Sequence, residues 1–457
     1  MRPMHLLLAA ALCAALAAPA SARIIHVPDS VATIRAAISA AHSGDTVLAD
    51  TGIYEERIEL RGHGVTVASR FLLTGDRSFI TNTVIQPGAS PGTVVSFFEA
   101  GDSTDVLAGF TIRNGSGTNG GGIHCWGGSA LIRDNIIEDN FTTADGGGVM
   151  IQFGAKPTVV GNVIRRNRTN IWGGGVYVHD GCSPVVERNV IYDNGAITDR
   201  PAGFTGPGTC CGRVLGPGAT AGGYDCRGGG VLVTNYTGAP MAPIVVNNTI
   251  DGNEAQASGG GIYVNHAPAD VRNNIVTASA PAGVHTDGPE LTIAYNDAWG
   301  NGTNISGSTR EGQGSISACP MYADSAGDDF HLQAGSPCID AGDPASPPDP
   351  DSTRADMGAF WFFQTGAAEP GSPVVTPASR AATIVWGVLH LGVDSKQNTE
   401  CGAELLDAGG RRVMTLAPGA NDVSRLSPGI YFLKDEGGRL KDEPGSRKAV
   451  RKVIVAR

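Results

Sequence analysis

Basic residues are scarce in this chain of 457 residues. Lysine and arginine number 33 against 44 aspartates and glutamates, which gives a formal net charge of −11. Nucleic acids and anionic membranes recruit basic patches, so this balance argues against both kinds of partner. After residue 22 no run of about 18 apolar residues occurs, which argues against a transmembrane span. A Cys-x-x-Cys pair is also absent, so a zinc site is not indicated.

The beginning of the chain has the features of a secretory signal. Arg2 supplies the positive charge, Leu6–Ala18 is apolar, and Ala20-Ser21-Ala22 has the small residues of a cleavage site. We therefore expect residues 1–22 to be a signal peptide and the mature protein to be exported.

Eight of the nine cysteines remain after removal of this signal. An even count in an exported chain indicates disulfides. Cys319 and Cys338 close a short loop and are the favoured pair. The next candidates are bonds of Cys210 or Cys211 with Cys226 or Cys182.

Two phrases recur through the middle of the chain. Three glycines and a branched apolar residue occur at Gly120–Ile123, Gly146–Val149, Gly173–Val176, Gly228–Val231 and Gly259–Ile262. An Asn-x-Ile-x-x-Asn phrase begins at Asn135, Asn162, Asn189 and Asn248, with steps of 27 residues between the first three. A fixed period of this length indicates stacked supersecondary units, and we predict a right-handed parallel β-helix.

The repeated residue types have a physical role in such a coil. Glycine permits a bend where no Cβ would fit. Asparagine tolerates left-handed backbone angles, and its stacked side chains can hydrogen-bond from turn to turn. Successive turns are expected about 4.8 Å apart, the usual spacing of paired strands.

Changes in composition predict the domain organisation, and the fold class is all-β. The divisions are a signal peptide (1–22), an N-terminal capping helix region (23–45), the β-helix (46–317) with an insertion loop (195–227), a C-terminal cap of the solenoid (318–364), a linker (365–378) and a small β-sandwich (379–457). The helix is predicted over Ser30–Ala41, capped by Asp29 or Ser30 and ended at Gly44.

The strand that begins at the branched apolar residue of each glycine phrase alternates between apolar and other residues. Its first and third positions are predicted to point inward, and its second and fourth to face solvent. The outward rows carry rings, imidazoles and amides, which suit sugars and other ligands. The candidate binding residues are His124, Trp126, Gln152, Tyr177, His179, Tyr263, Asn265, His285 and Asp287. The competing interpretation is that tyrosine and tryptophan simply favour strands.

Catalytic chemistry is indicated only by His179 beside Asp180, which could serve acid–base catalysis. A polysaccharide lyase needs a base and a neutralising cation, yet Lys156 is the only lysine before residue 396 and sits at a turn. A glycosidase needs two facing carboxylates about 5–9.5 Å apart. Asp180 and Asp287 are on the predicted face but several coils apart.

A metal site is indicated by an acidic segment near residue 350. Asp349, Asp351, Thr353 and Asp356 form an oxygen-rich sequence of the kind that binds Ca²⁺. It lacks the central glycine and distal glutamate of an EF-hand loop, and the alternative is a proline-rich turn with solvated charge. Calcium is the one cofactor that the sequence indicates.

Several segments resemble known families. Thr33–Ile38, Gly44–Val47 and Gly52–Glu55 resemble the opening of secreted right-handed β-helix proteins, a group of polysaccharide lyases, glycosidases and pectin esterases. The glycine phrases resemble repeats of polymorphic outer-membrane proteins. The motifs Gly410–Met414, Leu426–Phe432 and Arg451–Arg457 resemble a sorting domain of the type IX secretion system. The Gln-Asp-Thr-like and Asp-Phe-x-Phe-Gly phrases of pectin esterases are absent, so esterase activity does not carry over.

These observations predict an exported protein at the outer surface of a Gram-negative-type bacterium or released from it. The resemblance implies the type IX machinery as one partner. The expected function is binding of an extracellular polysaccharide or surface component on the exposed sheet. The alternatives are a polysaccharide lyase or glycoside hydrolase, and a structural or adhesive rod without catalysis.

Overall fold

The computed structural model describes residues 22–98, 105–197 and 226–364, and strands between residues 383 and 456. Residues 1–21 of the predicted signal, residues 198–225 of the predicted insertion with Cys210 and Cys211, and the predicted linker lie outside the described residues. The chain divides into two compact units. Met1–Ser69 and Phe79–Phe362 form the first, and Arg70–Ser78 and Phe363–Arg457 the second.

The first unit is a parallel β-helix in which each strand pairs with its counterpart in the next turn. Three nine-stranded sheets run along it. Sheet A contains Ile24–Val27, Thr46–Ala49, Thr66–Ser69, Val106–Ala108, Leu131–Arg133, Thr158–Val160, Val185–Glu187, Ile244–Val246 and Asp270–Arg272. Sheet B contains Gly52–Glu55, Thr83–Gln86, Thr111–Arg113, Ile136–Glu138, Val163–Arg165, Val190–Tyr192, Thr249–Asp251, Ile275–Thr277 and Asp297–Trp299. Sheet C contains Ile58–Leu60, Val95–Phe98, Ile123–Trp126, Val149–Gln152, Val176–Val178, Val231–Thr234, Ile262–Asn265, Val284–Ile293 and Ile305–Glu311.

A shorter fourth sheet, sheet D, lies between sheets B and C in the path of the chain. Its five strands are Ser116–Asn119, Phe141–Asp145, Arg168–Thr169, Gly195–Ala196 and Glu254–Ala255. One turn therefore passes through sheets A, B, D and C, and the glycine phrase connects D to C. The predicted stack of parallel strands is confirmed.

The interior is a continuous hydrophobic core. The first and third residues of the sheet C strands point into it as predicted, for example Ile123 with Cys125 and Val149 with Ile151. Each coil adds its own layer of branched apolar side chains, so burial is continuous along the stack. Burial of each such side chain contributes roughly 1.5–3 kcal/mol.

Two ladders of buried asparagines fix the corners around sheet B. In each ladder, the backbone N–H and the side-chain amide of one asparagine donate to the Oδ1 of the asparagine one turn on, at about 3.0 Å for Asn162 and Asn189. The first ladder runs through Asn135, Asn162, Asn189, Asn248, Asn274 and Asn296. The second runs through Asn140, Asn167, Asn194 and Asn253. The predicted stacking of these residues is confirmed.

The left-handed backbone angle falls one residue earlier than predicted. Asp134, Arg166 and Arg188 have φ of 55°, 53° and 51°, and each directly precedes a ladder asparagine. The strained bend is made by the residue whose side chain points outward. The asparagine itself follows the bend, which leaves its amide free to point inward and pair along the stack.

A short helix covers the first coil, although its bounds differ from the prediction. It spans Ile34–Ala40, with Thr33 as N-cap accepting from the N–H of Ala36 and Ala41 as C-cap. Ile34 and Ile38 join the core of the coil. The strand Ile24–Val27 precedes the helix and pairs with Thr46–Ala49, so the β-helix begins before residue 46. A second helix spans Ser78–Asn82.

Residues 328–362 do not close the end of the solenoid as the predicted cap would. They run back along the outside of the coils at sheet B and its corner with sheet A. The contacts that show this are Asp328 with Arg165, Phe330 with Tyr192, Ala359 with Thr249, Asp356 with Asn247 and Trp361 with Arg188. The first strand of this segment, Asp329–Leu332, pairs antiparallel with Tyr322–Asp324, and the 3-10 turn Ser325–Gly327 connects the two.

The predicted disulfide between Cys319 and Cys338 is wrong. Both thiols are free, and Cys319 is exposed while Cys338 is buried. Cys338 donates instead to Oδ2 of Asp297 at 3.2 Å. Cys182 is likewise free and buried, and the buried Cys226 donates to the carbonyl of Asn170 at 3.1 Å.

Asp297 gives the fold a testable pH dependence. It is fully buried, and burial raises its pKa to about 6, although the hydrogen bonds from Ala318 and Cys338 act to lower the pKa. A raised folded-state pKa means that the folded chain holds the proton more tightly, so stability falls as the pH rises from about 4 to about 6. We compare the free energy of unfolding of Asp297→Asn with that of the unchanged protein at each pH. This difference should favour the variant by on the order of 2 kcal/mol more at high pH than at low pH. Urea midpoints at about pH 4.5 and about pH 7.5 measure this, and a pH-independent difference would contradict it.

The second unit contains a helix, Phe71–Thr74, and two small sheets. One sheet has the order Thr383–Trp386, Arg451–Ala456, Gly429–Asp435, Ala403–Leu406 and Arg412–Leu416. The other pairs Val388–Leu391 with Gly419–Asp422 in antiparallel fashion. Across the described part of the whole chain, no helix has the length and apolar character needed to cross a bilayer.

Candidate functional site

The candidate site lies on the outward face of sheet C, where the second and fourth residues of each strand point away from the core. The second-position side chains are not exposed to solvent as predicted. Met150, Tyr177, Leu232 and Tyr263 are buried and, with Trp172, form a cluster separate from the main core. Their Cβ atoms lie against the corner between sheets D and C, which folds over them.

The first glycine of each phrase makes this corner possible. Gly173 has φ of +70°, and a Cβ built on it would lie 2.5 Å from the Cβ of Tyr177. The other four phrases repeat this geometry with the corresponding second-position residue. Glycine is therefore required at the bend, as predicted, because the bend packs against the second-position residue of the following strand. The sequence did not reveal this contact.

The fourth-position row is divided between buried and accessible residues. Gln152, Thr234 and Asn265 are buried, whereas His179 and Asp287 are partly exposed. Trp126 is exposed by 43%. The accessible part of the face is therefore smaller than the predicted wall and begins at the N-terminal coils.

A cleft of about 800 Å³ opens on the first three coils of this face. Ser96, Phe98 and His124 are among the residues that line it. Three arginines and three glutamates also line it, namely Arg35, Arg57, Arg61, Glu55, Glu56 and Glu59. A concave site with polar groups beside an aromatic edge is the usual form of a ligand pocket.

Three exposed rings continue from this cleft along the rod. Trp126 stacks on Phe153 with ring centroids 4.0 Å apart, and Phe98 lies 6.2 Å from Trp126 on the other side. Phe98 and Phe153 are exposed by 36% and 60%. We call Phe98, Trp126 and Phe153 the aromatic row. Phe98 and Phe153 were not among the predicted site residues.

His124 and Gln152 support this row from beneath. Their Nε2 atoms are within hydrogen-bonding distance, and the imidazole lies 5.5 Å from the Trp126 ring. Burial lowers the pKa of His124 to about 4, so the ring is neutral at physiological pH. Both residues are thus in the predicted face, and His124 contacts the ring of Trp126.

His179 and Asp180 are adjacent to the loop that follows the strand Val231–Thr234. The carboxylate of Asp180 accepts from the backbone N–H groups of Tyr236 and Thr237, at 3.0 and 2.9 Å. Burial opposes ionisation of Asp180, but these hydrogen bonds lower its pKa. An ionised carboxylate held by two backbone donors anchors the loop. His179 makes an edge contact with the ring of Tyr177.

The last predicted residues meet in a polar network. Tyr263 donates to Asp287 at 2.5 Å, and Arg227 lies 3.5 Å from the same carboxylate. His285 approaches the other oxygen of Asp287 at 3.2 Å. Burial opposes ionisation of Asp287, yet the hydrogen bond from Tyr263 and the nearby positive charges lower its pKa. Asn265, two positions after Tyr263, instead donates to the hydroxyl of Tyr236.

Another row, which the sequence analysis missed, lines the same corner. It consists of the residues before the glycine phrases, which pair from turn to turn: Asn119, Asp145, Trp172, Arg227 and Ser258. Burial raises the pKa of Asp145 to about 6, against a hydrogen bond from Trp172. Among the described residues its Oδ1 has no hydrogen-bond donor. The fixed position before each Gly-Gly-Gly was the signal that could have identified the row.

The segment predicted to bind Ca²⁺ uses its carboxylates internally. Asp349 accepts from the N–H of Asp356, Asp351 from Thr353, and Asp356 from the N–H groups of Asp340 and Phe362. In the described ranges no three His, Cys, Asp or Glu side chains converge as metal ligands. The four residues stabilise the turns that hold residues 328–362 on the coils.

Comparison with known proteins agrees with the architecture. A family model described as a right handed beta helix region matches residues 39–212, in agreement with the stacked parallel strands of the described residues in this range. No curated protein matches the chain.

Two solved structures are similar at low identity. A pectate lyase, Pel9A, has 14% identity and a TM-score of 0.43, with 75% of this chain and 96% of that chain covered. A pectin methylesterase mutant in complex with a hexasaccharide has 11% identity and a TM-score of 0.33, with 65% and 89% covered. Neither similarity bears on what this chain binds.

Proposed function

We propose that this protein is an exported β-helix that binds an extracellular polysaccharide on the outward face of sheet C. The ligand would lie along the aromatic row of Phe98, Trp126 and Phe153 and continue into the adjoining cleft. The proposal rests mainly on one observation: three exposed rings from consecutive coils touch in sequence beside a polar concavity.

The physical support comes from the exposure of these rings. An exposed apolar patch bordered by polar groups marks an interaction site more often than isolated surface residues do. Sugar rings present apolar C–H faces and polar edges, which match aromatic faces beside hydroxyl and charged groups. The rod repeats its spacing of about 4.8 Å from coil to coil, so an elongated polymer can follow the row.

Binding is better supported than turnover. The candidate catalytic pair His179 and Asp180 contains a carboxylate whose oxygens accept from the loop backbone, which suits a positioning role. The Asp287 carboxylate is likewise engaged by Tyr263 and Arg227. A polysaccharide lyase or glycoside hydrolase remains the alternative, and a passive structural rod is the second alternative.

The cellular part of the proposal comes from the terminal motifs. The signal segment, residues 1–22, would direct export through the periplasm, and the region 379–457 would be a β-sandwich that engages the type IX secretion machinery. The protein would then act at the cell surface or beyond it. A Ca²⁺ requirement at Asp349, Asp351, Thr353 and Asp356 is not part of the proposal, because these side chains hold the local turns.

Trp126→Ala tests the binding face. We expect at least tenfold weaker binding to whichever polysaccharide the unchanged protein retains most strongly, because removing a central aromatic anchor commonly costs about 2 kcal/mol and tenfold corresponds to about 1.4 kcal/mol. Affinity electrophoresis against a polysaccharide panel, followed by calorimetric titration with the best ligand, measures this effect.

Trp299→Ala is the matched control. Trp299 is exposed by 41%, close to the 43% of Trp126, but lies at the end of a sheet B strand. Its removal should leave affinity unchanged. Equal losses in the two variants would reject the proposed face, and reducing ends released in the same mixtures would favour the enzyme. Binding to no polysaccharide would favour the rod.

A further inference from the structure

The charges on the proposed binding face define the class of its ligand. We infer that the face binds an uncharged polysaccharide rather than a polyuronate. This inference rests on the proposed function and adds to it the chemical class of the polymer. It follows from the balance of fixed charges in the cleft and along sheet C.

The cleft carries equal numbers of fixed positive and negative side chains. Its lining contains three arginines and three glutamates, so its formal charge is zero with the histidines counted as neutral. Arg61 forms an ion pair with Glu59 at 2.5 Å. Both carboxylate oxygens of Glu56 accept from the backbone N–H groups of Ile34 and Arg35. The cleft therefore offers no excess of positive charge to a polyanion.

Farther along sheet C, the charged side chains of the described residues give no surplus of positive charge. Arg227 is balanced by Asp287 at 3.5 Å. Burial opposes ionisation of Asp180, but the backbone N–H groups of Tyr236 and Thr237 and the imidazole of His179 lower its pKa. Lys156, the single lysine before residue 396, is at a turn after the strand Val149–Gln152. The buried ring of His124 is neutral because its pKa is about 4.

A polyuronate carries a negative charge on every sugar. Bound to this face, it would find no surplus of positive charge among the described side chains and would approach a chain of net charge −11, and each of its carboxylates brought out of water without a partner is costly. A neutral polymer avoids this cost. Its hydroxyls can pair with Ser90, Thr93 and Ser96 in the cleft, while its C–H faces cover the aromatic row.

The experiment compares neutral and acidic polymers on the full mature chain. The neutral set is galactan, mannan, xylan and mixed-linkage glucan, and the acidic set is polygalacturonate and alginate. Each is titrated with and without added Ca²⁺, at about 50 and about 500 mM NaCl, a range that changes screening strongly. We expect the best neutral polymer to bind at least tenfold tighter than either polyuronate, with less than a twofold change across the salt range.

Glu59→Gln tests the charge balance directly. It frees Arg61 beside the aromatic row, so the ratio of polyuronate affinity to neutral-polymer affinity should rise at least fivefold. Glu290→Gln is the matched control, because Glu290 pairs with Arg310 at 2.6 Å in the two last strands of sheet C. Freeing Arg310 should leave that ratio unchanged.

Three outcomes would overturn the inference. The first is a polyuronate that binds as tightly as the best neutral polymer, with or without Ca²⁺. The second is a polymer affinity that falls steeply as the salt concentration rises. If such polyuronate binding is lost in Trp126→Ala, the proposed function stands and only the ligand class is wrong. If no polymer binds the unchanged protein, both are rejected.

Discussion

Gly173→Ala is expected to destabilise the β-helix by about 2–5 kcal/mol. Gly173 has φ of +70°, a backbone conformation that costs an alanine roughly 1–2 kcal/mol. The added Cβ would also lie 2.5 Å from the Cβ of Tyr177, and overpacking of this kind costs about 1–3 kcal/mol. Tyr177 is fully buried beside Trp172, and its hydroxyl is 3.2 Å from that of Thr234, so it has little freedom to retreat.

Gly154→Ala separates the two contributions. Gly154 has φ of +74°, but a Cβ there would meet nothing within 4 Å. The free energy of unfolding of this variant should fall only by the backbone cost of a left-handed φ, about 1–2 kcal/mol. Urea unfolding followed by circular dichroism measures both variants under one protocol. Equal shifts in the two midpoints would show that closure of the corner between sheets D and C contributes nothing.

The inward pattern of the coil could be predicted because it depends only on neighbours in the chain. Ile123 and Cys125 alternate with His124 and Trp126, and a strand sends alternate side chains to opposite faces whatever surrounds it. The asparagine stacking was predictable for a related reason. A constant repeat places equivalent residues in register, as Asn162 and Asn189 are.

The accessibility of the outward row could not be predicted in this way. Tyr177 and Tyr263 are buried because a neighbouring sheet folds over them, which alternation within one strand does not encode. The free state of Cys338 has a similar cause. Its position depends on where residues 328–362 pack, and that is decided by contacts with coils far away in sequence.

Only one residue of the aromatic row could be predicted from the repeat. Trp126 occupies the fourth position of a repeat strand and was identified. Phe153 lies one residue beyond that position, and its φ of 58° turns the chain so that its ring stacks on Trp126. Phe98 belongs to a coil without a glycine phrase, so repeat alignment missed it. Departures from the repeat therefore contribute two of the three exposed rings.

Asn189→Ala is expected to cost about 3–5 kcal/mol, because one side chain satisfies several buried groups. Its amide donates to the carbonyl of Val159 at 2.8 Å and to Oδ1 of Asn248 at 3.0 Å. Its Oδ1 accepts from both the backbone and the side chain of Asn162. Alanine would leave these partners buried without hydrogen bonds, at about 1–3 kcal/mol for each group that finds no substitute. Urea midpoints of the two proteins measure the loss.

Asn301→Ala provides the comparison that isolates the ladder. Asn301 also accepts from a backbone N–H, that of Ser279, and donates to the carbonyl of Val276, but it is only partly buried near the end of the coil. Water can replace its hydrogen bonds, so its loss should be about 1 kcal/mol. The asymmetry follows from the interior position of Asn189, whose unsatisfied partners water cannot reach. Similar losses at both positions would mean that burial along the ladder does not set its contribution to stability.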